Sequence, residues 1–410
     1  MGELQVDIEP REVGFSADRL ARIEQRFARY VEADQITGFQ AAVTRHGRVA
    51  YVASHGQRDR EGGLPTEPDT IYRIYSMTKA VTTVAAMMLH EEGAFELKDP
   101  VHRWIPSFRD SRVYVSGPAN APATEPLARP MQVWHLMTHT SGLTYGFHHA
   151  HAVDEMYRTA GFEWGQPRGM DLAAACDVWA GIPLLFQPGT EWNYSLSVDV
   201  LGRLVVVISG QTLDQFLAER IFEPLGMVDT AFHVPEAEQG RLAALYVPNP
   251  MDDRRAMRLE SPTPSTPPTF LAGGGGLYST TADYLRFLDM LRRGGEHDGG
   301  RLLGPRTVDY MTLNHLPAGQ SLETFGRPLF SETSFDGTGF GLGFAVVDDP
   351  AAGKVPGSRG EFSWGGAAST AFWVDPVEDI TAVFMTQLLP SSTWPFRSQL
   401  RALVSQAIVD

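Results

Sequence analysis

Cysteine, lysine and positive charge are scarce in this 410-residue sequence, and each shortage excludes something. The single cysteine, Cys176, cannot close an internal disulfide, and a thiolate zinc site is out of reach. Thirty-four basic residues against 49 acidic ones leave a net charge of −15, which repels phosphate backbones and anionic lipid. Neither nucleic acid nor a membrane is therefore an expected partner. The most apolar runs, residues 80–89 and 204–208, stop far short of the roughly 20 residues that cross a bilayer. The stretch from Met1 to Asp7 is acidic and lacks the basic start and apolar core of a secretory signal, so a cytoplasmic location is expected.

Several catalytic signatures are missing as well. No Gly-x-Ser-x-Gly occurs, which removes the nucleophile elbow of α/β-hydrolases. The run from Gly273 to Gly276 is not followed by Gly-Lys-Ser/Thr, so it reads as tight backbone packing rather than a phosphate loop. His135 and His139 stand four apart, but Leu136 occupies the place where a zinc-protease helix carries glutamate, which makes them structural histidines. His148, His149 and His151 have no carboxylate at ligand spacing and read as an exposed loop. Neither a metal nor a cofactor is expected.

What is present describes a folded chain of one large domain with an insertion, or of two to three units: 43% of residues are apolar and 20% charged. Leu20, Ile23, Phe27 and Val31 recur at helical spacing after Ser16, a candidate cap, and predict a helix to about residue 33. Residues 39–44 and 49–54 predict a β-hairpin turning at residues 45–48. Residues 76–92 are apolar on nearly every side and stop at Gly93, which predicts a buried helix. The middle of the chain is helical, notably near residues 171–180 and 198–209, with a loop at 115–130 and a proline-rich surface loop at 246–270. A helix from about residue 281, capped by Thr280 and Asp283, leads into strands at 341–347, 370–374 and 380–386 and a closing helix at 395–409. This order predicts an α+β protein with an antiparallel sheet built from both chain ends. Residues 1–98 and 270–410 would form an α/β sandwich around an α-rich insertion at 99–269.

One of the three lysines falls in Ser76-Met77-Thr78-Lys79, at the mouth of the buried helix. Side chains at i and i+3 share a helix face, so the amine of Lys79 reaches the hydroxyl of Ser76. Burial and the positive helix end both favour a neutral amine, which can accept a proton. The competing reading makes Ser76 a helix cap and Lys79 a surface cation, and this segment alone does not decide.

Four further segments do. Ile71 to Lys79, Val133 to Leu143, Pro188 to Leu196, Ala272 to Leu277 and Trp364-Gly365-Gly366 resemble, in order, the motifs of the serine β-lactamase-like group, which includes class C β-lactamases and family VIII carboxylesterases. The resemblance covers most of the chain and implies a β-lactamase/transpeptidase-like fold. It implies Ser76 as nucleophile, with Lys79 and Tyr194 sharing its proton as a coupled pair in which either can be the base. It implies an oxyanion hole from the backbone N–H groups of Ser76 and Ala367. Leu196, Trp364, Gly365 and Gly366 would line the substrate pocket. Two positions depart from the β-lactamase pattern: Leu196 replaces an asparagine two residues after the tyrosine, and Trp364 replaces a lysine or histidine. A lactam carboxylate thereby loses its polar partners, while an ester gains an apolar wall. The expected activity is a cofactor-free serine carboxylesterase acting on small, short-chain esters through an acyl-enzyme. β-Lactam or D-amino acid amide hydrolysis, acyl transfer, and a non-catalytic penicillin sensor are the alternatives.

Overall fold

Eight antiparallel strands make the central sheet in the computed structural model, which describes residues 4–164, 169–327 and 335–410. The first three residues of the acidic N-terminal stretch lie outside that range. The strands are β1 (Gly38–Arg45), β2 (Arg48–Asp59), β3 (Leu64–Pro65), β4 (Thr338–Phe340), β5 (Ala345–Val347), β6 (Phe362–Gly365), β7 (Ala371–Asp375) and β8 (Ile380–Met385). Their spatial order is β4-β5-β6-β7-β8-β1-β2-β3. The N-terminal β1 pairs with the C-terminal β8 from Gln40 opposite Met385 to Arg45 opposite Ile380, so the sheet closes between the two chain ends. The β1–β2 turn places His46 and Gly47 at φ 53° and 72°, the left-handed pair that matches strand twist in a tight hairpin.

All eight residues of β1 are buried, and the period-2 alternation sorts them between two cores. Phe39, Ala41 and Val43 join Trp373, Ala382 and Phe384 beneath helix α1 (Ala17–Glu32) and the closing helix Phe396–Ser405. Ala42, Phe372, Val374, Val383 and Met385 point the other way. There they meet α2 (Thr78–Glu91), α3 (Leu172–Gly181), α4 (Ser197–Ser209) and α5 (Thr281–Arg292). The closing helix is α6. Among the described residues no single helix is long and apolar enough to cross a membrane; α4 reaches that length only together with Leu213–Leu225, bent by 83°.

Four local expectations need correction. Residues 341–347 are not one strand: Gly343 sits at φ 88° and the Gly341 N–H donates to the Phe344 carbonyl, so the chain turns between β4 and β5. Residues 246–270 begin not as a surface loop but as a hairpin, Leu245–Pro248 with Ala256–Leu259. Tyr246 and Ala256 bury themselves in the α1 side of the sheet. The 115–130 loop likewise holds a hairpin, Arg112–Ser116 with Ala123–Pro126. Finally, Ser16 precedes α1 with extended backbone but makes no side-chain capping bond, whereas the Thr280 hydroxyl accepts the Asp283 N–H of α5 as expected.

Candidate active site

The chain enters α2 through a single 3₁₀ turn, Tyr75–Met77, and Tyr75 is held at φ 43°. A tyrosine in the left-handed region costs roughly 1–3 kcal/mol and persists only where its surroundings impose it. Here they do. The preceding strand Ile71–Arg73 pairs with Tyr278–Thr280, the Ile74 N–H donates to the Leu277 carbonyl, and the Leu277 N–H donates to Thr78 Oγ1. This clamp sets Ser76, half-buried, outside the helix proper, whose own N-cap is Met77. Ser76 is therefore not the helix cap.

Lys79 is 1% exposed, which removes the reading of a surface cation. Its Nζ lies 3.2 Å from Ser76 Oγ, and donates to Tyr145 Oη at 3.0 Å and to the Gly274 carbonyl at 2.6 Å. It also lies 4.6 Å from the centre of the Tyr194 ring, a cation–π distance. Tyr194 thus meets Lys79 with its ring, and its hydroxyl accepts instead from Trp364 Nε1 at 3.2 Å. The phenol in hydrogen-bond contact with Lys79 is Tyr145, a residue that sequence reasoning did not single out. Burial pushes the Tyr145 hydroxyl well above its ordinary range, and the neighbouring Tyr194 and Asp199 push it further.

Tyr194 is placed by two segments that run side by side. The Asn193 N–H donates to the His139 carbonyl, the Gly189 N–H to that of Thr140, and the Leu185 N–H to that of Gly142. Beneath them, Ser141, Ser195 and Ser197 share hydroxyl contacts of 2.7 Å, and His139 Nδ1 lies 3.2 Å from Ser195 Oγ. The His139 ring packs 4.9 Å from that of Tyr194. Burial, with Lys79 and His148 beside it, pushes His139 well below the usual histidine range, so this packed ring stays neutral. His148 departs from its expected place in an exposed loop: it is half-buried, and its Nε2 stands 2.7 Å from the Tyr194 carbonyl. His149 pairs with Glu163, and His151 caps the helix Ala152–Thr159 by accepting the Val153 N–H.

Behind Lys79 lies a second residue that the motifs did not reveal. Asp199, near the start of α4, is buried, and its Oδ1 accepts the Gly274 N–H at 2.9 Å. Gly274 thus accepts from Lys79 on its carbonyl and donates its N–H to Asp199. Burial pushes the Asp199 carboxyl up, against the pull of Lys79 and of that N–H. A side chain on Gly274 would collide with the Asp199 carboxylate, so the glycine run is indeed a close-packing device.

On the opposite wall, β6 carries Trp364 and Gly365 against the Ser76 turn. A Cβ on Gly365 would stand 2.6 Å from the Thr370 carbonyl oxygen, and one on Gly366 2.5 Å from that of Ile74. Both glycines are required for this approach. It brings Gly366, the residue before Ala367, against the Ile74 carbonyl that precedes the Ser76 turn, and among the described residues neither the Ser76 nor the Ala367 N–H donates to a protein acceptor. Trp364 tilts over Tyr194 at 5.3 Å and meets Phe340 edge-on at 5.4 Å. Leu196 is half-buried just before α4 and packs partly on the main core. No three His, Cys, Asp or Glu side chains among the described residues are grouped to hold a metal ion.

Comparison with known proteins gives the family. Residues 23–406 match the family model described as Beta-lactamase. Protein Rv1367c of Mycobacterium tuberculosis is 38% identical over 88% of each chain. Esterase EstB of Burkholderia gladioli is 33% identical over 90% of this chain and 91% of its own. Among solved structures, EstCE1, a hydrolase with promiscuous acyltransferase activity, superposes with a TM-score of 0.78 at 26% identity, covering 96% of this chain and 99% of its own. The chain belongs to the β-lactamase family, as a serine enzyme that works through an acyl intermediate.

Proposed function

We propose that the protein is a carboxylesterase that hydrolyses small, short-chain carboxylic esters through an acyl-enzyme on Ser76. The observation that carries this reading is the contact of a fully buried amine with a reachable hydroxyl, Lys79 Nζ to Ser76 Oγ at 3.2 Å. In the proposed sequence, Ser76 Oγ attacks the ester carbonyl carbon while its proton passes to Lys79. The developing oxyanion would take the N–H groups of Ser76 and Ala367, neither of which donates to a protein acceptor among the described residues. Collapse expels the alkoxide, which recovers a proton from the Lys79–Tyr194 side of the site, and water then attacks the acyl carbon by the same route in reverse. Tyr145 and Asp199 hold Lys79 in place throughout. An alkoxide demands less of the general acid than an amine does, and the wall of Leu196 and Trp364 has no cation to offer a lactam carboxylate. Both points favour esters over β-lactams and D-amino acid amides. Acyl transfer to an alcohol is the second reading, favoured by the structural likeness to EstCE1 with its promiscuous acyltransferase activity.

Ser76→Ala decides the matter. Turnover of p-nitrophenyl acetate and butyrate should fall by at least about 10⁴-fold, since loss of a nucleophile removes the whole covalent route. Retained turnover rules Ser76 out. Nitrocefin with a higher kcat/KM than either ester would reverse the choice of substrate.

A further inference from the structure

One row of aromatic rings has no part in the proton chemistry. It begins at Tyr145, whose hydroxyl touches Lys79. The Phe147 ring stacks on Tyr145 at 4.5 Å and 20°, and the Trp164 indole stacks on Phe147 at 4.6 Å and 11°. Exposure rises along the row, from half-buried Tyr145 and Phe147 to Trp164, which is 67% exposed. The row is held in place rather than loose. His148 meets both Tyr145 and Phe147 edge-on and is fixed by the Tyr194 carbonyl. Arg158 donates to the Gly146 carbonyl, and the His149–Glu163 pair ties the turn to the residue beside Trp164. A large apolar side chain left in water at the end of a braced row that starts beside the candidate base Lys79 is a recognition surface for an apolar ligand.

We propose that Tyr145, Phe147 and Trp164 form a subsite for a flat, ring-bearing apolar group of the ester. This deepens the carboxylesterase reading and rests on it. Ring edges and the exposed indole favour another ring in offset or edge-to-face contact. The chemistry is the same whether the ring sits on the alcohol or on the acid; a short acyl group places it on the alcohol.

The test compares methyl acetate, 2-naphthylmethyl acetate and methyl 2-naphthylacetate with wild-type protein, Trp164→Ala and Trp164→Phe. Trp164→Ala should lower kcat/KM for 2-naphthylmethyl acetate about five- to tenfold through KM, leave methyl acetate within about twofold, and be partly rescued by phenylalanine. Unchanged thermal stability would show that the exposed indole is not structural. Selective loss on methyl 2-naphthylacetate instead keeps the subsite but moves it to the acyl side, against the short-acyl expectation. Equal loss on all three esters, or none, overturns the subsite while leaving the esterase. Absence of Ser76-dependent turnover of every ester overturns both.

Discussion

The two faces of the central sheet are built from the same strands yet solve different problems. On the α1 and α6 side, Phe27, Phe39, Phe384 and Phe396 interlock at centroid distances of 4.7 to 5.8 Å. On the other side, α2 begins with Lys79, Thr82 and Thr83, all fully buried, and faces Asp199, Ser141, Ser195 and Ser197. Each of these polar groups finds a partner: Thr82 donates to the Gly273 carbonyl, Thr83 to that of Lys79, and the others as described. Burying polar groups is costly unless they are paired, so a polar second face marks where chemistry rather than stability shaped the packing. The two faces should therefore respond differently to change.

The largest such difference is expected at Phe384. Truncation to alanine opens a cavity among the three remaining rings and should cost about 3–5 kcal/mol of stability, read as a drop in denaturation midpoint, with kcat/KM of the folded fraction unchanged. Loss of activity by fully folded protein would show that the two faces are coupled.

The polar face should also be the acid-sensitive one. His135 is buried, and its Nδ1 accepts the Gln132 N–H, a bond that protonation would destroy. Burial, helped by Arg129, pushes this imidazole down to about 4 from the ordinary 6.5. Between those values the unfolded chain binds a proton that the native protein refuses, so stability is intact above pH 6.5 and declines as pH falls towards 4. The loss attributable to His135 is on the order of 3 kcal/mol. His135→Asn, which preserves an acceptor, should flatten that slope in urea melts at pH 4.5 to 7; an identical slope would remove His135 as its source.

The smallest expected effect is the most specific to chemistry. Asp199→Asn keeps shape but removes the charge behind the Gly274 peptide, and should reduce kcat about tenfold and displace the pH profile of kcat/KM, with stability little altered. An unchanged profile would reduce Asp199 to a packing residue.

These two faces also differ in how well sequence reveals them. The hairpin of β1 and β2 was readable because two short β-rich runs flank a turn, and α2 because its apolar residues run on all sides to a glycine stop. Ser76 and Lys79 are one helical turn apart, so their meeting is written in their spacing. The turn at Gly343 was hidden by apolar residues on both sides that mimic a continuous strand. Tyr145 and Asp199 were hidden for another reason. They reach Lys79 from a short irregular turn and across a peptide from a different helix, contacts that exist only once the fold has assembled. For the same reason Tyr194 was readable as a site residue, but its approach to Lys79 through the ring rather than the hydroxyl was not.

The central claim is a covalent bond on one oxygen. Wild-type protein quenched during turnover of p-nitrophenyl acetate should show, by intact mass and peptide mapping, one acetyl group on Ser76 that builds and then decays as substrate is exhausted. Continued turnover with no adduct, or an acetyl group carried by another residue, would contradict the account.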